Sequence, residues 1–233
     1  MPAKRLPVLG VLGGMGPLAT ADFFFKLIQN MPAEIDQQHN RVIIDSNTQI
    51  PDRVSAILQG TTDPSPELLH TLLKLENYGV DLIAVPCHTI TPFLESIKRE
   101  ITVPVMDMVS TMVNEIQKRD IRKVGILASQ GVFRLNIYSQ KLQAMHIDTI
   151  QLTEEQNQNL VEPVRIQVKT GRIDPKTSDL LNEAIRILHD KGAEKVALCC
   201  SDLPLALNEP LEKILDANLI FALKVIEQLQ FLE

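Results

Sequence analysis

The chain contains one long pattern twice. The segment from Gly79 to Pro92, GVDLIAVPCHTITP, reappears from Gly192 to Pro204 as GAEKVALCCSDLP, with Cys87 falling on Cys200. A second pair of landmarks runs in the same order: Gly10-Val-Leu-Gly-Gly-Met-Gly16 matches Gly125-Ile-Leu-Ala-Ser-Gln-Gly131. The offsets agree, 125 − 10 = 115 and 192 − 79 = 113. A unit this long is not a solenoid repeat. Each copy runs a short apolar strand into a small-residue turn, so the expectation is two homologous α/β halves.

The alternation of strand and helix signals fills in those halves. Leu6–Leu12 reads as a buried parallel strand stopped by glycine, and Pro17 suits the first turn of the helix that follows. Arg41–Ile44 is the next strand, followed by the polar run Asp45–Arg53 at its carboxyl end, where open α/β sheets place their sites. Pro66–Tyr78 and Met108–Lys118 read as helices, and Val80–Val85 and Val103–Met106 as strands. Met106, Met108 and Met112 read as adaptable core filler.

The second half repeats the plan, with strands at Lys123–Ala128, Thr149–Leu152 and Lys195–Leu198. Helices run through Tyr138 and Leu142, over Val161–Lys169 and over Ser178–Lys191, and Glu154–Gln158 reads as loop. The last helix, Leu219–Leu232, has no counterpart in the repeat and is expected to lie across the first half. The expected domains are 1–112 with 208–233, and 113–207, each a mostly parallel sheet flanked by helices, with the active site in the cleft between them.

Composition narrows the partners. A net charge of −6 and no basic stripe or tryptophan argue against nucleic acid and anionic membrane. Three cysteines without framework spacing read as free thiols in a reducing compartment. Lys4 and Arg5 before an apolar run, with Ala19-Thr-Ala21 beyond it, imitate a secretion signal. The internal copy of the same run at Val124–Gly131 makes it a core strand instead, and no run approaches a membrane span. The expected location is the cytoplasm. His39, His70, His146 and His189 lack ligand-like spacing, so no metal site is expected.

A cysteine at a strand end is ordinarily packing. Two at equivalent positions of a duplicated scaffold face each other across the cleft, and that symmetry has a chemical use. Inverting a stereocentre by proton transfer needs a base on one face and an acid on the other. Thiols near pKa ~8.5 can be tuned toward that role. Cys199 points the other way along the strand and reads as core.

At these residues the chain resembles the aspartate/glutamate racemases. The motifs are GVLGGMGPLAT at Gly10–Thr20, SNTQIPDR at Ser46–Arg53, PCHT at Pro86–Thr89, VGILASQG at Val124–Gly131, VKTG at Val168–Gly171 and CCSDLPLAL at Cys199–Leu207. The resemblance implies two pseudosymmetric α/β domains with a small acidic amino acid bound between them, no pyridoxal phosphate or metal cofactor, and a homodimer. It makes Cys87 and Cys200 the proton-transferring pair. Met15, Asn47, Gln49, Arg53 and Lys169 match substrate-site positions, and His88, Thr89, Ser129, Ser201 and Asp202 stand in the same motifs. Arg53 offers a bidentate clamp for a carboxylate and Lys169 a point charge; the alternative for both is a solvated surface charge.

The chain departs from the family where PCNTAH becomes Pro86-Cys-His88-Thr-Ile-Thr91, where GCTE becomes Cys199-Cys-Ser-Asp202, and where Val132 replaces a threonine. These changes bear on substrate identity more than on reaction class. His88 has a second reading, a structural residue bonded to a backbone carbonyl. Three rival functions remain: nucleotide binding through Gly14-Met-Gly16-Pro-Leu-Ala19 with Asp45, another isomerase of small acids, and a non-catalytic binder of an acidic metabolite.

Overall fold

The computed structural model describes residues 5–208 and 212–232; Lys4, weighed above, lies outside them. The first half runs β1 (Leu9–Gly13), α1 (Pro17–Asn30), β2 (Val42–Ser46), α2 (Arg53–Gln59), α3 (Ser65–Asn77), β3 (Leu82–Val85), α4 (Thr91–Ile97), β4 (Val105–Asp107) and α5 (Met108–Lys118). The second runs β5 (Lys123–Ala128), α6 (Gln130–Arg134), α7 (Ile137–Gln143), β6 (Asp148–Gln151), α8 (Glu154–Gln156), a π-helical turn Asn157–Val161, α9 (Glu162–Lys169), α10 (Pro175–Asp190), β7 (Lys195–Cys199), β8 (Ile214–Asp216) and α11 (Ala217–Leu232). The strands form two four-stranded parallel sheets, β2-β1-β3-β4 and β6-β5-β7-β8. The identical order is the duplication made visible. β1, β3, β5 and β7 are almost wholly apolar and buried, as strands covered by helices on both faces must be.

The tail differs from expectation. β8 and α11 are the second-half counterparts of β4 and α5, and Asp107 and Asp216 each begin the helix that follows by accepting a backbone N–H, from Ser110 and Leu219. Sequence similarity is too thin there to show the match. Residues 214–216, expected with the first domain, complete the second sheet, and residue 113 falls inside α5. α11 does lie on first-half helices, packing on α1 and α5, with Phe221 against Phe23 at 5.3 Å between ring centroids. One apolar cluster therefore draws on both halves, from Leu9, Phe23 and Met112 to Val124, Leu142, Phe221 and Leu229.

Glu154–Gln158, expected as loop, is helical, because Thr153 caps it with a reciprocal bond to Gln156. The polar run after β2 likewise hides α2, started by Asp52, whose carboxylate accepts from Ser55 N at 2.7 Å. α2 packs on α6 across the halves, and Gly131 leaves room for Val54 and Ile57. Among the described residues no helix is long and apolar enough to cross a membrane.

The glycine turn after β1 is closed rather than open. Gly14 has φ +87°, and a Cβ there would stand 2.5, 2.6 and 2.6 Å from the Asn47 backbone C, N and O. Its N–H already donates to Thr20 Oγ1 at 3.0 Å. The Asn47 backbone thus covers the place where the nucleotide reading needed room for a pyrophosphate. Gly14→Ala is expected to cost at least ~2 kcal/mol from left-handed strain and overpacking, read as a lowered urea midpoint; an unchanged midpoint would show that the β2 loop yields freely.

Candidate active site

The carboxyl ends of the two sheets meet around a small cavity lined by residues of both halves. Cys87 follows β3 and Cys200 follows β7, equivalent strands in equivalent sheets, and both thiols line it. Both are free and buried. Thr89 Oγ1 lies 3.2 Å from Cys87 Sγ. Cys200 Sγ is 3.9 Å from Asp202 Oδ2.

Of the expected residues, Met15, Arg53, His88, Thr89, Ser129, Lys169, Ser201 and Asp202 line the same cavity. Asn47 and Gln49 do not. Asn47 turns onto α3, its Nδ2 donating to Glu67 Oε1 at 2.7 Å and Thr71 Oγ1 at 2.8 Å while its Oδ1 accepts from Gln49 N. Gln49 is exposed, bonded to Thr48. Their position after β2 suggested a site, but the fold of the loop decides their reach.

Asp52, Val54 and Arg165 line the cavity without having been expected. Arg165 was within reach of reasoning, since it precedes Lys169 by one helical turn on the same face. Its Nε and Nη2 donate to Glu162 Oε2 at 2.8 and 2.6 Å, and Glu162 Oε1 accepts the Gln130 N–H at 2.8 Å. Burial works against the Arg165 charge, but the bonds and charge of Glu162 outweigh it and raise its pKa.

The lining carries unspent polar atoms. Arg53 is 7% exposed, so it is no solvated surface charge; Nη1 donates to Ile50 O and Pro51 O, and buried Nε has no partner. Ser129 Oγ, Asp202 Oδ1 and His88 Nε2 are likewise buried and unpartnered. Native interiors rarely leave such atoms unpaired, and four around one cavity mark a place for a polar ligand. Lys169 is exposed yet reaches the cavity. The glycine turn of the first half admits the Asp202 loop of the second: a Cβ at Gly16 would lie 3.5 Å from Asp202 Oδ1.

Burial pushes the Cys200 thiol up, with the Asp202 carboxylate adding to it and Arg165 opposing. Burial also raises the Asp202 carboxyl, against Lys169, Arg165 and Arg53. His88 bonds through Nδ1 to the Tyr138 hydroxyl at 2.6 Å, not to a backbone carbonyl, and burial lowers its pKa to about 3. Unfolded His titrates near ~6.5, so neutral burial of His88 stabilises the fold above that pH and costs ~1.4 kcal/mol per unit below it. The stability gap between wild type and His88→Gln is therefore expected to change by roughly 2 kcal/mol between pH 7 and pH 5, in favour of the variant at acid pH. Urea titrations at both values check this; a constant gap refutes it. Among the described residues no group of three or more His, Cys, Asp or Glu is placed to hold a metal ion.

Comparison with known proteins places this geometry. A family model described as Asp/Glu/Hydantoin racemase matches residues 12–228. The Broad specificity amino-acid racemase RacX of Bacillus subtilis is 27% identical over 141 residues, 58% of this chain and 60% of that protein. Glutamate racemase of Aquifex pyrophilus is 34% identical over 71 residues, 30% of this chain and 28% of its own length. Each match spans less than two thirds of the curated relative. Picrophilus torridus aspartate racemase shares the fold with a TM-score of 0.85 at 24% identity, over 96% of this chain and 94% of that one. Glutamate racemase from Francisella tularensis, in complex with D-glutamate, gives 0.66 at 18%, over 97% and 81%.

Proposed function

The chain belongs to the Asp/Glu/Hydantoin racemase family, and on that premise we propose that it racemises an acidic amino acid, aspartate first, by two-base proton transfer between Cys87 and Cys200 without pyridoxal phosphate or metal. The observation that carries this is the pair of thiols at equivalent strand ends lining one cavity. One thiolate takes the α-proton, forming S–H as C–H breaks; the other thiol gives its proton to the opposite face of the carbanion. Burial favours the protonated form of the Cys200 thiol in the substrate-free site, and which thiol acts as base is set by the enantiomer bound. In the reverse direction the roles exchange.

The charge that develops on the substrate carboxylate meets Arg53, Arg165 and Lys169, set against Asp52 and Asp202. The unpartnered Arg53 Nε and Ser129 Oγ suit a carboxylate, and Asp202 Oδ1 an ammonium group. With Glu162 paired to Arg165 the carboxylates match the cations in number, so selection of an acidic side chain rests on the unpartnered Arg53 Nε and on Lys169. The homodimer suggested by family resemblance belongs to the same proposal and is checked by sedimentation.

The test is incubation in D2O with each enantiomer of aspartate and glutamate, without added cofactor, following α-proton loss by NMR and optical rotation together. Exchange with loss of rotation is expected for aspartate. Binding of one of the four without exchange would sink the catalytic reading and favour the metabolite binder.

A further inference from the structure

His88 and Tyr138 form a buried pair that the proton-transfer scheme leaves unused. Tyr138 sits on α7 of the second half, 1% exposed, and its oxygen is 2.6 Å from His88 Nδ1. The contact thus crosses between the halves, from α7 to the residue beside one proposed catalytic thiol. At its end His88 Nε2 is buried and unpartnered, on a residue that lines the cavity.

We infer that His88 contacts the substrate as an Nε2–H donor, in a tautomer imposed by Tyr138, and that Tyr138 is thereby a positioning residue for substrate binding. The inference rests on the reading of the cavity as an amino-acid site. Two directions of bonding are open to the pair. If Nδ1 carried the proton, the buried phenol's own proton would be left without an acceptor among the described residues, and Nε2 would present a lone pair. If the phenol donates to Nδ1, its proton has a good acceptor and Nε2 must carry the ring's own proton. The separation favours the second, since 2.6 Å is shorter than N–H···O bonds run and suits an O–H donor.

The cavity favours it as well. Nε2–H facing a carboxylate is attractive, whereas a lone pair there would repel the anion that Arg53, Arg165 and Lys169 attract. Burial keeps the ring neutral, so His88 adds a directional donor without adding a further cation. Where relatives carry an amide, this chain uses an imidazole braced from the opposite half.

The test is two-bond 1H–15N correlation NMR on the full-length labelled protein at neutral pH, with the His88 signals identified by their absence in His88→Gln. An unprotonated Nδ1, a protonated Nε2, and an Nε2 resonance that shifts on saturation with aspartate, glutamate or succinate are expected. An Nδ1–H tautomer, an imidazolium, or no shift with any of the three overturns the inference. Kinetics give a second arm. Tyr138→Phe is expected to raise KM roughly tenfold with a smaller change in kcat. His88→Gln, whose amide falls near the Nε2 position, retains more affinity than His88→Asn, whose amide falls near Nδ1; the reverse order refutes the contact. A shifted Nε2 signal in a protein that does not racemise would sink the catalytic reading alone, and racemisation with an unresponsive His88 would sink this inference alone.

Discussion

Cys87→Ala and Cys200→Ala are each expected to reduce racemisation in both directions by roughly 10²- to 10⁴-fold, the usual contribution of a positioned acid or base. In the proposed scheme each thiol is base in one direction and acid in the other, so both variants lose both directions. The double variant should be little worse than either single one, because residues that act as a unit are not additive. Racemisation near the wild-type rate in either single variant would end the two-thiol scheme. Asp202→Asn adds a check with a defined sign. The Asp202 charge is the second cause, after burial, that raises the Cys200 thiol. Removing it lowers that thiol's pKa and moves the pH–rate profile toward acid, and a shift toward base would refute the assignment.

Glu162→Ala carries the largest expected loss of stability, about 3 kcal/mol. The Glu162 and Arg165 side chains are 12% and 14% exposed. Removing the carboxylate leaves a guanidinium largely buried without its counter-charge and also frees the Gln130 N–H that begins α6. Arg165→Met, which removes the cation and keeps the bulk, should destabilise less, since an apolar replacement avoids the unpaired charge. Urea midpoints of both variants decide it. Equal losses would mean that the ion pair is only packing.

The repeat made most of the scaffold legible. Met108–Lys118 and Lys123–Ala128 form the elements expected of them, because their periodicity is strong and their ends are marked. The turns that bring glycines and cysteines to the strand ends were legible for the same reason. α2 was not, because its cap, Asp52, and first residue, Arg53, end a polar run, and only the Asp52 to Ser55 spacing betrays it. The reach of Asn47 was hidden too: the partners that hold it, Glu67 and Thr71, are local to α3, and no pattern in the loop announces them. The His88 to Tyr138 bond joins residues fifty positions apart, a pairing that only tertiary packing creates.

The shared apolar cluster has a symmetry of its own. α1 packs on α11, α7 packs on α5, and α5 meets α11 between them. Since α7 follows the β5 turn as α1 follows the β1 turn, and α11 follows β8 as α5 follows β4, these contacts exchange with one another when the halves are exchanged. That is the rule of an isologous contact, the kind that joins two copies of one subunit. The interior of this polypeptide is therefore constructed as a subunit interface. A half-length progenitor with the same helices would have exposed Phe23, Val109 and Met112 or paired them with a second copy of itself. In that ancestor each dimer would have held a single site, supplied with one thiol by each subunit. Fusion into one chain would have kept that count while freeing the two sides to diverge, and the chain holds the His88–Tyr138 pair once, with Ser201 at the place equivalent to His88.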